Sequence, residues 1–296
     1  MKKKLLASLF VLSLILPNQA FANETDNFKD LELPAGQVDL SKLPIEFQEK
    51  LSKRSEEIND YFEKLEELKI KARLAETEML SNKKSGSASI NKFHIIEINN
   101  EIEYYENNSL AIAGLEKLNE SFPNTLIQPM STNSQATVKA PTVYYDNDMS
   151  SYVLSSGWNW STINPDNNNG SWDGFGLRVN QEKVSVLEDH LTTFDYNGKK
   201  YSPSKTSETS AYGYYQMFDD ANISRNYTAH SGTSWMFFRY YNGTPIGKTV
   251  NFNGQYAHTW SSTTLSGAAA GSSDFAGTFS VTSKGWKANN YSWKTY

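Results

Sequence analysis

The stretch from Tyr152 to Trp160 reads Tyr-Val-Leu-Ser-Ser-Gly-Trp-Asn-Trp. Four of its nine residues are aromatic or β-branched, and such residues favour the pleated surface of a β-strand. Comparable runs, separated by turn-forming residues, recur about every ten residues through the second half of the chain. The predicted strands are 143–146, 152–160, 175–179, 183–194, 212–218, 235–241, 249–252, 256–260, 275–282 and 285–293.

Three dipeptides in this half are typical of tight hairpins. They are Asn197-Gly198, Asn242-Gly243 and Asn253-Gly254, and Asn-Gly pairs favour two-residue turns because both central residues take a positive φ. Short strands joined by tight turns predict an antiparallel β-sandwich, of jelly-roll or immunoglobulin-like type, over residues 142–296.

The first half of the chain has a different composition. Residues 23–140 hold 14 Lys and Arg against 21 Asp and Glu, a net charge of −7, whereas residues 141–296 hold 11 against 12, a net charge of −1. All seven Trp and 14 of the 17 Tyr lie in the second half. This shift predicts two physically distinct segments and an α+β chain overall.

An acidic helical segment is predicted over residues 23–127. Apolar residues recur there at seven-residue intervals, as a helix with one buried seam requires: Leu51, Ile58, Leu65, Ala72 and Met79. The helix is expected to begin between Ser41 and Pro44 and to end near Asn82. Residues 93–98 are apolar enough for a strand or a buried helix, and residues 109–118 predict a shorter helix.

The role of this segment has two interpretations. It is either a pro-region or docking segment that folds against the second half, or a helical hairpin with no separate role. Residues 128–141 are small and polar and are bounded by Pro129 and Pro141, which predicts a linker. Because the two halves differ, we expect the β half to fold alone.

The N-terminus predicts export from the cell. Lys2 to Lys4 precede an apolar run from Leu5 to Leu16, and Ala20-Phe21-Ala22 forms a small-residue cleavage site. Residues 1–22 are therefore read as a signal peptide, because the apolar run is short for a membrane span of roughly 20 residues. The mature chain would begin at Asn23 and be extracellular, with no membrane span.

Overall composition narrows the classes of function. The chain has no Cys, so an extracellular fold must be stabilised by packing alone. Its net charge of −5 and its lack of a basic stripe disfavour nucleic acid as a partner. A Lys-rich leader with abundant Asn, Lys, Ser and Tyr is typical of secreted proteins of Gram-positive bacteria.

No catalytic motif identifies an enzyme, so catalytic residues stay unknown. The sequence has no Gly-x-Ser-x-Gly elbow, His-Glu-x-x-His helix or phosphate-binding loop. A glycosidase-like pair of carboxylates would have to be assembled by the fold, with candidates Asp173, Glu182, Glu188 and Asp189.

Calcium is the one cofactor that the sequence suggests, and no other is expected. Carboxylates in oxygen-rich loops are the ligands that calcium prefers. The candidates are Asp146, Asp148, Asp166 and Asp173. A plain Asn/Asp turn without an ion is the alternative, because these residues favour turns by themselves.

Aromatic residues are the strongest functional signal. Trp158 and Trp160 lie two residues apart, as do Tyr212 and Tyr214, so each pair would share one face of a strand. Such rings can stack on sugars or fill the core of a sandwich. The leading hypothesis is a secreted, non-catalytic protein that binds a glycan, cell-wall polymer or matrix partner. The alternatives are a secreted hydrolase and a toxin or bacteriocin-like protein activated by cleavage of the linker.

Overall fold

The structure is a computed structural model of the chain. It describes residues 28–82, 89–118, 136–161, 172–202, 205–220, 227–259, 265–267, 279–281 and 285–296. The predicted signal peptide lies outside the described residues. A helical segment is followed mostly by β-sheet, which confirms the predicted α+β class.

Three α-helices occur in the described part of the first half. They are α1 (Ile45–Asn82), α2 (Ser89–Asn107) and α3 (Ser109–Ala113), with a short 3-10 helix at Leu40–Lys42. The predicted seam of α1 is confirmed, because Leu51, Ile58 and Leu65 are buried. Residues 93–98 belong to α2, so the helical alternative is right for that stretch.

The strands are mostly in the second half. In chain order they are β1 (Gly36–Gln37), β2 (Leu115–Lys117), β3 (Ala136–Val138), β4 (Thr142–Asp146), β5 (Ser151–Trp160), β6 (Asp173–Asn180), β7 (Val184–Phe194), β8 (Lys200–Tyr201), β9 (Lys205–Ser210), β10 (Gly213–Phe218), β11 (Ser231–Tyr240), β12 (Thr249–Thr259), β13 (Leu265–Gly267), β14 (Phe279–Val281) and β15 (Gly285–Thr295).

These strands form two main sheets. The larger sheet has the order β1-β7-β11-β5-β4-β2, with β3 paired to β5 and β8 paired to β7, and the smaller sheet has the order β15-β12-β6-β10-β9. Within the described strands, pairing is antiparallel except between β1 and β7. Strands β13 and β14 pair with each other and lie beside β10 and β12 respectively.

A large aromatic core lies between the two sheets. The Trp158 ring on β5 stacks on Tyr256 of β12, with ring centroids 4.9 Å apart, and on Phe218 of β10 at 5.3 Å. Leu154 from the larger sheet and Phe252 from the smaller one belong to the same buried cluster. The two sheets are therefore held together by apolar packing, as a chain without disulfides requires.

The helical segment covers the other face of the larger sheet. Leu51 and Ile58 of α1 share a buried cluster with Val153, Trp235 and Phe237 of the sheet. Strands β1 and β2, which flank the helices in sequence, extend the same sheet. Both faces of the larger sheet are thus apolar and covered.

Two predictions about connections need correction. Residues 136–138 of the predicted linker form β3, which pairs with β5, while residues 128–135 lie outside the described residues. Asn253-Gly254 is not a turn, because both residues lie inside the continuous strand β12. A Cβ at Gly254 would lie 2.8 Å from Ser156 Oγ of the larger sheet, so glycine is needed there for close packing of the sheets.

Candidate functional site

The four rings predicted as candidates for a sugar-binding platform, Trp158, Trp160, Tyr212 and Tyr214, lie mostly in the core. Trp158, Trp160 and Tyr214 are at most 2% exposed, and the indole Nε1 of Trp158 donates a hydrogen bond to the carbonyl of Ala229 at 3.0 Å. Of the two roles considered for such rings, the core role is right for these three, and they do not form an exposed platform. Tyr212 is half-buried in the turn before β10, and it adjoins the outer face of the smaller sheet.

The calcium candidates that the structure describes have different surroundings. Asp146 is buried against Arg54 of α1, whose Nη2 lies 2.8 Å from its Oδ2. Asp148 is exposed, and Asp166 lies outside the described residues. Asp173 lies between the two sheets, next to His258. Asp146 and Asp173 therefore do not share a site, because they belong to different layers of the fold.

The candidate acids for hydrolysis bind different partners. Glu182 pairs with Lys248 at 2.7 Å, Glu188 accepts a hydrogen bond from Ser55 of α1, and Asp189 accepts one from Gln216. Each of these three carboxylates thus has a partner on another element.

The outer face of the smaller sheet carries a row of polar side chains. Along β12, Phe252 and Tyr256 point into the inter-sheet core, so Asn253 and Gln255 point away from it. Side chains directly opposite in antiparallel pairs share a face. The register therefore places further residues on this face. We call the whole set the amide row, after its three amide side chains; it consists of Arg178, Tyr215, Asn253, Gln255 and Asn289.

The amide row is buried, and some polar atoms of Asn253 and Gln255 have no partner among the described residues. Asn253 has no exposed surface and Gln255 is 1% exposed. Gln255 Nε2 donates to Asn289 Oδ1 at 2.6 Å. In the part of the chain that the structure describes, neither Asn253 Nδ2 nor Asn253 Oδ1 has a hydrogen-bond partner, and Gln255 Oε1 has none. Leaving a buried polar group unsatisfied costs about 1–3 kcal/mol.

Glycines form the floor beside this row. On β6, Gly174 and Gly176 lie on the same outer face, with Gly176 directly opposite Gln255 on one side and Tyr215 on the other. Because glycine has no side chain, β6 places no side chain between Gln255 and Tyr215 on this face, and both glycines are buried. Burial raises the pKa of the Tyr215 hydroxyl, so this group is a neutral donor and acceptor.

The row is flanked by cationic groups. The guanidinium of Arg178 lies over the ring of Tyr212, 5.5 Å from its centroid, so one residue of the predicted platform does adjoin this face. Lys287 is opposite Ala257 on the same face, and burial lowers the pKa of its ammonium group. The outer face therefore combines amides, an aromatic ring and positive charge.

Sequence reasoning missed this row for an identifiable reason. Amides alternate with core residues along β12, since Asn251, Asn253 and Gln255 are interleaved with Phe252 and Tyr256. That period of two is the signal of a strand with two different faces. Assigning Asn253-Gly254 to a turn divided the strand and concealed the alternation.

Comparison with known proteins gives no further assignment: no family model matches the chain, and no curated protein matches it. Within the described residues, no helix combines the length and the hydrophobicity that a membrane span needs. A function must therefore be inferred from the side chains of the site.

Proposed function

We propose that this is a secreted, non-catalytic binding protein that holds a glycan or cell-wall polymer at the amide row. The proposal rests on the side chain of Asn253, which is fully buried. Neither the nitrogen nor the oxygen of its amide has a hydrogen-bond partner among the described residues. Native proteins leave few such groups unsatisfied, and those that remain often serve function.

A hydroxyl-rich ligand matches the unsatisfied atoms. An amide offers both donors and an acceptor, and a hydroxyl can donate and accept at once. A sugar could therefore pair with Asn253 Nδ2, Asn253 Oδ1 and Gln255 Oε1 together. The glycine floor at Gly176 would let a sugar ring approach the strand, and the ring of Tyr215 supplies an apolar surface beside it.

Burial of the row affects both affinity and access. Hydrogen bonds are stronger where water is excluded, so a ligand held at Asn253 would gain from the dry environment. Because Asn253 and Gln255 have almost no exposed surface, a ligand reaches them only when the chain around the row opens. We therefore expect slow association, since binding that requires a conformational change lowers the association rate.

Binding to insoluble polysaccharides tests this proposal. The full chain is incubated with peptidoglycan, chitin and cellulose, and the bound fraction is measured. Substituting Asn253→Ala removes two hydrogen bonds of about 1 kcal/mol each, so affinity should fall roughly 30-fold. The thermal midpoint should hold or rise, because the variant also removes an unsatisfied buried group.

The matched control is Asn242→Ala. Asn242 is exposed in the turn between β11 and β12, so this variant should bind like the wild type. Absence of binding by the wild type to every polysaccharide, or equal binding by Asn253→Ala, would contradict the proposal. Secretion is tested separately by N-terminal sequencing of protein from culture medium, which should begin at Asn23.

A further inference from the structure

A second polar cluster lies between the sheets, away from the amide row. It consists of Asp173, Asp220 and His258, and one ligand atom from each lies within 4.8 Å of the other two. Asp173 begins β6, whereas Asp220 follows β10 and His258 lies near the end of β12. Three chain segments therefore bring one imidazole and two carboxylates to the same end of the sandwich.

Asp173 is oriented by a ring of donors. Its Oδ1 lies 2.9 Å from His258 Nδ1 and accepts a hydrogen bond from the backbone N–H of Thr259 at 3.1 Å. Its Oδ2 accepts hydrogen bonds from the hydroxyl of Tyr227 at 3.0 Å and from that of Tyr256. The carboxylate is therefore fixed in direction before anything else binds.

The side chain of Asp220 gives separate evidence that this cluster can bind a further group. It is 3% exposed, and its Oδ1 has no hydrogen-bond partner among the described residues. Its backbone is fixed, because Thr228 donates to its carbonyl oxygen through N–H at 2.9 Å and Oγ1 at 3.0 Å. A buried carboxyl group on a fixed backbone thus keeps one unsatisfied oxygen among the described residues, and one of its oxygens lies within 4.8 Å of a ligand atom of Asp173.

Two buried carboxyl groups this close cannot both be ionised unless a positive charge compensates them. Within the described residues, no Lys or Arg forms a hydrogen bond or an ion pair with the side chain of Asp173 or Asp220 that would provide it. A divalent cation bound by both carboxylates and by His258 would neutralise the repulsion and satisfy Asp220 Oδ1 in one step.

We propose that Asp173, Asp220 and His258 bind a divalent transition-metal ion of the zinc class. Zinc accepts imidazole and carboxylate ligands and often binds three protein side chains with a fourth position open. Calcium instead takes six to eight oxygen ligands, which suits a site with an imidazole poorly. The hydroxyls of Tyr227 and Tyr256 donate to Asp173 Oδ2, and hydrogen bonds of this kind hold a ligating carboxylate in place.

Zinc binding to the full chain tests this site. Protein freed of metal with a chelator is titrated with Zn²⁺ in a calorimeter, and Co²⁺ is added separately to record the absorption of its coordination sphere. We expect one ion per chain and a rise in the thermal midpoint with Zn²⁺. The isosteric variant Asp220→Asn removes one charged ligand. Zinc affinity should therefore fall by at least about 10-fold, which is the smallest loss typical when a hydrogen-bond partner of a metal ligand is mutated.

The matched control is Asp219→Asn, since Asp219 is the adjacent acid and is exposed; it should bind Zn²⁺ like the wild type. If Asp220→Asn does not fold, Tyr227→Phe tests the same site by removing one hydrogen bond to Asp173. Absence of zinc binding by the wild type would overturn the proposal. Equal zinc affinity in the folded Asp220→Asn or Tyr227→Phe variant would also overturn it, as would stabilisation by Ca²⁺ alone.

Discussion

Arg54 on α1 and Asp146 at the end of β4 form a buried ion pair that joins the helical segment to the larger sheet. The guanidinium donates through Nε at 3.0 Å and Nη2 at 2.8 Å to Asp146 Oδ2, and Nη2 also donates to the carbonyl of Ala113. Burial raises the pKa of Asp146, an effect that Arg54 opposes. The pair therefore ties α1, α3 and the sheet together in one place.

Substituting Arg54→Ala should destabilise the whole fold. The change leaves the Asp146 carboxylate buried without its cation, and breaking a buried pair in this way costs about 3–5 kcal/mol. Urea unfolding followed by tryptophan fluorescence gives the free energy of unfolding. The control is Lys53→Ala, one residue earlier on the same helix, whose side chain is 78% exposed and should matter little. Equal stability of the two variants would show that the Arg54 pair contributes nothing.

Removing the helical segment should prevent cooperative folding of the β half. A fragment of residues 141–296 would expose Val153, Leu187, Trp235 and Phe237, which are buried beneath α1 in the full chain. Burying one such side chain is worth about 1.5–3 kcal/mol. Four of them together are comparable with the whole free energy of unfolding of a typical domain, about 5–15 kcal/mol. This reverses the expectation from sequence. A sharp thermal transition in the fragment, with native near-UV circular dichroism, would show that the sheet needs no cover.

Acid should weaken the contact made by Glu63 of α1. Its burial favours the neutral form, but Lys200, Thr192 and Asn59 outweigh this and lower its pKa; the Lys200 Nζ lies 2.6 Å from Glu63 Oε2. A lowered pKa stabilises the fold above the ordinary value of 4.5, and this contribution is lost as pH falls through the folded-state value.

Substituting Glu63→Gln should therefore lower the free energy of unfolding at pH 7, and the gap from wild type should shrink as the pH is lowered below 4.5. Unfolding measured at several pH values checks this. Glu56→Gln, an exposed position on the same helix, serves as the control. A gap that stays constant with pH would rule out the charge of Glu63 as its cause.

Truncating Trp158 should lower the stability of the fold, because its ring is part of the core. The ring has no exposed surface and contacts Tyr256 and Phe218, so Trp158→Ala leaves a cavity that costs about 3–5 kcal/mol. Tyr241→Ala, at a ring that is 48% exposed, should cost much less. Thermal melting compares the two, and an unchanged midpoint for Trp158→Ala would mean that the ring is not a core residue.

The helices and strands could be predicted from the sequence better than the contacts that each of them makes with distant segments. The seven-residue spacing from Leu51 to Leu65 identified α1 and its buried seam, because helical periodicity is a local property. Asp173 was the member of the candidate metal cluster that the sequence singled out. Asp220 and His258 were not grouped with it, because they lie 47 and 85 residues further along the chain and meet only through the pairing of β6 with β10 and β12.

By itself, the sequence determined that a long helix precedes a set of aromatic strands, since periodicity and turn chemistry act over a few neighbouring residues. Tertiary structure alone decided which face of each strand is covered. Trp158 of the larger sheet is buried because the smaller sheet lies over its ring. Asn253 lies on the face of the smaller sheet that points away from this core, and its amide is unsatisfied among the described residues. Strand alternation shows that two faces exist, but only the packing of distant segments determines what each face contacts.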